Sequence, residues 1–411
     1  MKPIALVFLI ATFMETTSCH EQPHAAQQAG AATDTSYTKG TFGYDLLFLQ
    51  KKDPGLVVLQ QGDAQLLVSP RYQAKVFTST AAGSQGQSFG WIHYQAFDGP
   101  EDAHMNGYGG ENRIWLGPEG GRFSLFFAKG AKMEFDNWHT PKAFDTEAWQ
   151  LVAQKADSVV MEKSMQLTNY AGHAFSLSVR RLVKLLDNSG IDNALHLVRD
   201  SSVKAVGYYT ENSMTNTGTE TWTATTGMPC IWMLDMFNPS PATTIVIPYK
   251  AGKPKPATTD YFGEIPADRI RYHDDKVLFF KADGKSRGKL GIHPSRVQPV
   301  AGSYDASHQV LTIILFDTDP LGRYLNQEWS TGKEPFSGDA MNAYNDGPLA
   351  DGSQMGPFYE LESVSPAAFL PPGHTHTHRH SVFHFTGNVA GLDRISQQVL
   401  GVKLETVQQA F

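Results

Sequence analysis

From Phe42 onward, this chain of 411 residues is dominated by short segments in which apolar or β-branched residues alternate with polar ones. The alternation predicts β-strands, because successive side chains of a strand point to opposite faces. Turn-forming runs such as Asp98-Gly99-Pro100 and Asp283-Gly284 separate the segments. The predicted strands are Gln65–Ser69, Lys75–Thr80, Phe89–Phe97, Arg122–Phe127, Ser158–Thr168, Ala174–Leu185, Val203–Thr215, Ile231–Phe237, Thr244–Tyr249, Lys276–Lys281, Val310–Phe316, Phe358–Val364 and His374–Phe385.

Helical periodicity is confined to the end of the chain, where Leu392, Ile395, Val399 and Leu400 recur between polar residues. The run Asn188-Ser189-Gly190 reads as a turn. No repeat of 20–50 residues is present, which argues against a propeller or a solenoid. We therefore predict one all-β domain over residues 41–411, a large sandwich or barrel with a short C-terminal helix.

The N-terminus carries the pattern of an export signal. A single lysine precedes the apolar run Pro3–Met14, which is too short to span a bilayer, and small polar residues then lead to Cys19. This pattern predicts a lipoprotein signal peptide over residues 1–19 with lipidation at Cys19, followed by a flexible tether over residues 20–40. The alternative is a soluble secreted protein with a cysteine in its signal. The first interpretation predicts a cell-envelope protein, periplasm-facing or in the outer membrane, held to the membrane by its lipid.

Charge and cysteine content exclude other classes. The formal net charge of -7 gives no electrostatic basis for binding nucleic acid. Cys230 is the only cysteine besides Cys19, so an internal disulfide framework in the mature chain is excluded. Its apolar neighbours predict a small buried residue.

The glycine-rich segment 108–121 holds the first candidate site. In an extended segment Glu111 and Arg113 would share one face, and a guanidinium beside a carboxylate can grip vicinal hydroxyls. Trp115 offers a flat apolar surface for a sugar ring. The alternative is an internal Glu–Arg pair that braces a loop.

The second candidate site is the strand Phe358–Val364. Glu360 and Glu362 would point to the same side of this strand, among apolar and aromatic neighbours. Two carboxylates on one face are costly to bury without polar partners, so this face lines a groove, pairs with arginine, or lies in solvent.

The third candidate site is a histidine-rich strand. His374, His376, His378 and His380 recur at period two, so one face of a strand would carry all four. A His-x-His pair can present two imidazoles to a metal ion, which makes His374, His376 and His378 weak metal candidates. General acid or base work by His376 or His378 is equally compatible with the pattern, as is a partly exposed strand without a function.

Several of these motifs together resemble the galactose mutarotase (aldose 1-epimerase) superfamily, and more closely an uncharacterised group of Bacteroidota lipoproteins within it. The similarity extends in order and spacing from about Phe42 to the C-terminus. Its motifs are Gly110–Ile114, Asn212–Gly218, Phe358–Ser363, Leu370–Gly373 and Phe383–Phe385.

The resemblance implies a β-supersandwich with a carbohydrate-facing sheet. It implies that Glu362 takes the proton of the anomeric hydroxyl and that Arg113 contacts sugar hydroxyls. Mutarotases supply the acid from a histidine on the strand after the Thr-Asn turn. Residues 219–237 contain no histidine, and Trp232 and Asp235 stand in that neighbourhood as candidate substrate contacts instead.

Three hypotheses follow, none of which requires a cofactor. The chain is a carbohydrate-active enzyme of the aldose-epimerase kind or another sugar-processing kind, a non-catalytic carbohydrate-binding lipoprotein, or a structural protein of the envelope. Convergence of Glu360, Glu362, Arg113 and the histidine strand on one pocket would favour the enzyme. Carboxylates locked in arginine pairs would favour the binding protein.

Overall fold

A computed structural model of the chain describes residues 37–411. The predicted signal peptide, Cys19 and residues 20–36 of the predicted tether lie outside the described residues. Residues 37–411 form one compact unit.

The described residues contain strands and helices of the following bounds. The strands are β1 (Val57–Gln61), β2 (Ala64–Ser69), β3 (Lys75–Thr80), β4 (Arg113–Gly117), β5 (Gln150–Gln154), β6 (Ser158–Thr168), β7 (Ala174–Leu185), β8 (Lys204–Asn216), β9 (Cys230–Phe237), β10 (Thr243–Pro248), β11 (Ala257–Thr258), β12 (Ile270–His273), β13 (Val277–Lys281), β14 (Gly288–Ile292), β15 (Val300–Asp305), β16 (Val310–Phe316), β17 (Met341–Asn345), β18 (Tyr359–Val364) and β19 (Thr375–Thr386). The α-helices are α1 (Phe42–Lys52), α2 (Asn188–Leu195), α3 (Val389–Val399) and α4 (Leu404–Gln408).

Two large sheets build the fold. The ten-stranded sheet has the order β12-β13-β10-β15-β16-β19-β8-β7-β6-β5, and the six-stranded sheet has the order β11-β14-β17-β18-β9-β4. Every residue of β9, β17 and β18 is buried, so both faces of the six-stranded sheet are covered at its centre. One face packs against the ten-stranded sheet through the largest hydrophobic cluster, and loops cover the other. A three-stranded sheet, β1-β2-β3, adds to this core.

Helices pack on the remaining surfaces. Phe383 and Phe385 of β19 point away from the six-stranded sheet and are buried among apolar residues of α2, α3 and α4. Near the three-stranded sheet, Phe42 and Leu49 of α1 are buried seven residues apart, at the spacing of one helical face.

A buried polar network joins the two large sheets. His380 Nε2 lies 2.7 Å from Asp235 Oδ2, and Asn112 Nδ2 donates to Asp235 Oδ1 at 2.5 Å. Arg181, which is fully buried, donates to Asn112 Oδ1 and, at 2.8 Å, to Asn212 Oδ1. Burial lowers the pKa of Arg181 to about 10, which leaves the guanidinium charged at neutral pH opposite the nearby Asp235. The network fixes β9 of one sheet against β7, β8 and β19 of the other.

The predicted fold class is confirmed, and most predicted strands are found within one or two residues. Two predicted strands are wrong: the segment 89–97 makes only isolated bridges and ends in a 3₁₀ turn, and the segment 122–127 is a loop. The predicted turn at Asn188 is the first turn of α2, where the Asp187 carboxylate caps the helix by accepting from the Gly190 N–H. α1 was not predicted, because its apolar residues are too closely spaced to show a helical period.

Within residues 37–411, none of the helices is long and apolar enough to cross a bilayer.

The buried network yields a stability prediction. Asp235→Ala should lower the free energy of unfolding by about 3 kcal/mol, because His380 and Asn112 lose their shared acceptor in the interior. Glu211→Ala is the matched control, since it removes the carboxylate of a solvent-exposed pair with Arg379 and should change stability by less than about 1 kcal/mol. Urea denaturation measures both variants, and equal losses would contradict this role of the network.

Candidate functional site

The candidate cleft lies on the face of the six-stranded sheet that is turned away from the ten-stranded sheet. In the strand register, Glu360 lies opposite Tyr344 on β17 and opposite Met236 on β9, and Arg113 of β4 lies opposite Leu234. Residues directly opposite each other share a face, and all five line the cleft. The sheet therefore forms its floor, and loops between strands form its walls.

The cleft has two adjoining lobes. The narrow lobe lies over Glu360 and Arg113 and has a volume of about 140 Å³. The wide lobe has a volume of about 430 Å³ and is bordered by Glu328, Asp346 and Leu349. Eight residues line both lobes, so they form one continuous depression: Glu119, Phe135, Phe262, Arg287, Lys289, Trp329, Tyr344 and Met355.

An ion pair forms part of the floor of the narrow lobe. Arg113 Nη2 donates to Glu360 Oε1 at 2.6 Å, and the two side chains are 6% and 9% exposed. Burial raises the pKa of Glu360 to about 7. The Arg113 guanidinium opposes this rise in pKa, and the nearby Glu362 carboxyl adds to it. Glu360 therefore has a carboxyl group that can change protonation near neutral pH while it faces the cleft.

Glu362 lies beside Glu360 on β18 but has no exposed surface. Its Oε2 accepts from Trp232 Nε1 at 2.8 Å and from Lys289 Nζ at 3.0 Å. Lys289 and Trp232 line the narrow lobe, and Glu362 does not. Glu362 thus anchors two residues of the cleft, and Glu360 is the carboxylate of β18 that faces the ligand space.

Lys289 is the central cation of the site. Burial alone would lower its pKa, but the carboxyl groups of Glu362, Glu119 and Glu360 raise it above its usual value. Its ammonium group also lies 4.8 Å from the centre of the Trp232 ring. Lys289 is therefore charged at neutral pH and holds three acidic side chains close together.

Glu119 contributes a further carboxyl group to both lobes. It follows the end of β4, and its Oε1 accepts from Trp329 Nε1 at 3.1 Å. No cation pairs with it within 4 Å among the described residues. Removal from solvent raises the pKa of Glu119, and this effect outweighs the nearby Lys289. Glu119 therefore retains its proton more readily than an ordinary glutamate.

Aromatic side chains form much of the wall of the narrow lobe. Trp138 stacks on Trp329 with ring centroids 5.9 Å apart, and Trp115 meets Trp232 edge to face at 5.6 Å. Three buried N–H groups of this lobe find no acceptor among the described residues: Arg113 Nε, Trp115 Nε1 and Trp138 Nε1. Flat apolar surfaces beside unmatched donors are a combination suited to a ligand with apolar faces and hydroxyl groups.

Arg287 lies where the two lobes meet. Its guanidinium stacks 3.9 Å from the centre of the Phe262 ring, and its Nε donates to Tyr344 Oη at 3.3 Å. The Tyr344 hydroxyl in turn donates to Asp346 at 2.9 Å. Within the described residues Arg287 forms no ion pair within 4 Å, and its remaining N–H groups are free to reach a ligand.

Two predicted substrate contacts lie on the opposite face of the sheet. Asp235 is part of the buried network between the sheets, and Glu111, also fully buried, accepts from Ser79 and lies 3.1 Å from His384 Nε2. The expectation that Glu111 and Arg113 share a face is wrong, because β4 begins only at Arg113 and Glu111 lies in a bend before it. Neither Asp235 nor Glu111 lines the cleft.

The histidine strand also faces the space between the sheets. Ser363 Oγ lies 2.8 Å from both His378 Nε2 and His380 Nδ1. Burial lowers the pKa of His376 and holds that of His378 well below its usual value, so both imidazoles are neutral at pH 7. His374 is exposed before the start of β19. The predicted convergence of imidazoles with Glu360 and Arg113 is therefore not found.

Among residues 37–411, no group of three or more histidine, cysteine, aspartate or glutamate side chains is arranged to hold a metal ion. The metal candidates His374, His376 and His378 lack a third ligand of these types in this part of the chain.

Sequence reasoning missed the three charged residues that line both lobes of the cleft: Glu119, Arg287 and Lys289. Glu119 closes the motif Trp115-Leu-Gly-Pro-Glu119, so its position beside Arg113 and Trp115 was a usable signal. Lys289 lies in β14, and Arg287 directly precedes this strand. Because β14 was not predicted, no sequence pattern indicated that Lys289 lies opposite Tyr344.

Comparisons with solved structures concern the fold. The protein Slr1438 from Synechocystis sp. PCC 6803 matches with a TM-score of 0.50 and 14% identity, over 81% of this chain and 96% of that one. A galactose mutarotase-like protein from Lactobacillus casei matches with a TM-score of 0.45 and 10% identity, over 80% and 100%. A galactose mutarotase related enzyme from Lactobacillus acidophilus has a TM-score of 0.45 and 9% identity, over 81% and 98%. The Slr1438 match shows a shared fold over most of this chain.

Comparisons of sequence give the family. A search of curated proteins found no match. The model of a family of unknown function, DUF6786, matches residues 40–411. Because this match covers the entire β fold, the chain belongs to the family of unknown function DUF6786.

Proposed function

We propose that the cleft binds a carbohydrate and that Glu360 exchanges a proton with it. The observation that carries the proposal is the floor of the narrow lobe, where the Arg113–Glu360 pair lies at 2.6 Å beneath aromatic walls. The guanidinium and carboxylate offer donors and acceptors to adjacent hydroxyl groups, and the indole rings offer flat surfaces to the C–H face of a sugar.

The unmatched donors support a polyhydroxylated ligand. Arg113 Nε and the indole N–H groups of Trp115 and Trp138 are buried without acceptors in the described chain. A buried donor without a partner costs about 1–3 kcal/mol, so a ligand whose hydroxyl oxygens accept from these groups gains affinity by relieving that cost. An apolar ligand would leave them unmatched.

Proton transfer is supported by two carboxyl groups with different surroundings. Glu360 has a pKa near neutrality and faces the narrow lobe, as a general base requires. We assign the complementary acid to Glu119, whose raised pKa favours the protonated form. In an aldose-epimerase-like reaction Glu360 would take the proton of the anomeric hydroxyl while Glu119 gives a proton to the ring oxygen, so that the ring opens and can close on the other face.

A second candidate function is carbohydrate binding without catalysis. It is favoured by the ion pairs of both β18 carboxylates, Glu360 with Arg113 and Glu362 with Lys289. Glu360 would then serve as a hydrogen-bond acceptor for the ligand and the cleft would release it unchanged.

The N-terminal pattern supports a location for this activity. The apolar run Pro3–Met14 before Cys19 and the resemblance to Bacteroidota lipoproteins favour export and lipid attachment at Cys19. We propose that the lipid holds the carbohydrate-binding domain at the cell envelope through the segment 20–40.

Binding of simple sugars tests the site. In a thermal-shift and calorimetric screen of aldoses, a binding sugar should lose at least about tenfold in affinity with Arg113→Lys, because lysine lacks the planar fork that holds Glu360 and reaches hydroxyls. Arg180→Lys is the matched control, since Arg180 forms an exposed pair with Glu162 and should leave affinity unchanged. Equal affinities of the two variants would reject the assigned site.

Anomer exchange tests the proton transfer. With glucose and galactose followed by proton NMR, the rate should rise as the pH increases through about 7, where Glu360 becomes ionised. Glu360→Gln and Glu119→Gln should each reduce the rate by about a hundredfold or more, and Glu162→Gln should not change it. Sugar binding with no catalysed exchange would leave only the second candidate function.

Export and lipidation are tested by fractionation of the full chain in a bacterial host. Cys19→Ser should release the protein from the membrane fraction and remove the lipid mass, because the serine hydroxyl does not replace the thiol as the attachment point. The control is Cys230→Ala, which changes the buried cysteine of β9 and should leave membrane attachment intact. Membrane attachment of the Cys19→Ser variant would contradict the proposal.

A further inference from the structure

The two lobes of the cleft differ threefold in volume and differ in their lining. We propose that the ligand is an oligosaccharide of at least two sugar units, with one unit in the narrow lobe over Glu360 and the next in the wide lobe against Phe262. This inference rests on the proposed carbohydrate function and specifies its substrate class.

The narrow lobe has room for one ring. Its volume of about 140 Å³ is close to the ~150 Å³ of a protein cavity that accommodates a single benzene molecule. A second sugar unit joined to the first must therefore lie outside the narrow lobe. The wide lobe shares Lys289, Trp329 and Glu119 with the narrow lobe and adjoins it directly.

The wide lobe is large enough for the continuation. Its volume of about 430 Å³ falls within the ~300–1,000 Å³ range of pockets that hold organic ligands. A monosaccharide seated over Glu360 would leave this space to water. A linked sugar would fill it and contact residues that a monosaccharide cannot reach.

The border of the wide lobe is apolar and exposed. Phe135, Phe262, Leu349 and Met355 are 43–58% exposed, and these four account for a third or more of the large apolar side chains that are exposed in the described chain. Exposed apolar groups gathered around one depression mark a binding surface more often than an ordinary exterior. Leu349 lies in the wide lobe alone and the other three line both lobes, so this exposed apolar surface continues from the narrow lobe into the wide one.

Phe262 is held ready for such a contact. The Arg287 guanidinium stacks on its ring at 3.9 Å, and Arg287 is itself oriented by the hydroxyl of Tyr344. The ring therefore offers a fixed apolar face, and the unpaired N–H groups of Arg287 lie beside it to bind hydroxyl groups. Trp115 and Arg113 offer the same combination in the narrow lobe, an aromatic ring face beside the N–H donors of a guanidinium.

Isothermal titration calorimetry of the folded protein can compare glucose and galactose with maltose, cellobiose, lactose and laminaribiose. We expect at least one disaccharide to bind about tenfold tighter than its component monosaccharides. Phe262→Ala should remove that gain, and Leu349→Ala, which changes a residue of the wide lobe alone, should reduce the gain and leave monosaccharide affinity unchanged. Phe369→Ala is the matched control, since Phe369 is 38% exposed and is also covered by an arginine, Arg323, but lies outside the cleft.

The outcomes separate this inference from the function on which it rests. Monosaccharide binding with no disaccharide gain, or a gain that survives Phe262→Ala, would overturn the oligosaccharide assignment and leave carbohydrate binding intact. Absence of binding by all six sugars would overturn both. If Phe262→Ala and Phe369→Ala melt at the same temperature, the loss of the extra disaccharide affinity in Phe262→Ala reflects lost ligand contacts and not misfolding.

Discussion

The site depends on the alternation of side chains along one strand. On β18, Leu361 and Ser363 point into the space between the two large sheets, while Glu360 and Glu362 point to the opposite face. A strand can serve two environments in this way because its side-chain period is two. The inner side chains join the core and the histidine network, and the outer ones carry the charges of the cleft. This alternation also explains why the imidazoles of β19 are separate from the carboxylates, since the six-stranded sheet itself lies between them.

Charge balance in the cleft follows from that placement. Three carboxyl groups, those of Glu119, Glu360 and Glu362, gather around Lys289, and Arg113 adds a second buried cation. Buried carboxylates are stable only when cations or donors compensate them, which Lys289 and Trp232 do for Glu362 and Arg113 does for Glu360. Glu119 has a hydrogen bond but no ion pair, and its pKa is raised accordingly. The site thus contains carboxyl groups in different electrostatic surroundings, which is the usual physical basis for assigning acid and base roles.

The sequence predicted the strands better than the contacts between them. Period-two alternation located β6, β7 and β16 to the residue, and it showed that Glu360 and Glu362 share a face. The proximity of Arg113 to Glu360, 247 residues apart, could be expected only from the resemblance to mutarotases, because no local pattern specifies which strands pair. The roles of Glu362, Asp235 and the histidines could not be predicted, because they depend on which sheet face each strand presents. β14 was missed since Gly288–Ile292 has two glycines and little alternation, and Lys289 was missed with it.

The central claim is that a carbohydrate occupies the cleft over Glu360. A crystal structure of the protein soaked with the tightest-binding sugar from the binding screen tests it most directly. We predict a sugar ring in the narrow lobe, with hydroxyl groups within hydrogen-bond distance of Glu360 and Arg113 and a face against the tryptophan wall. A sugar bound instead in the groove lined by Asp45, Trp91 and His308, with the narrow lobe holding only water, would contradict the account.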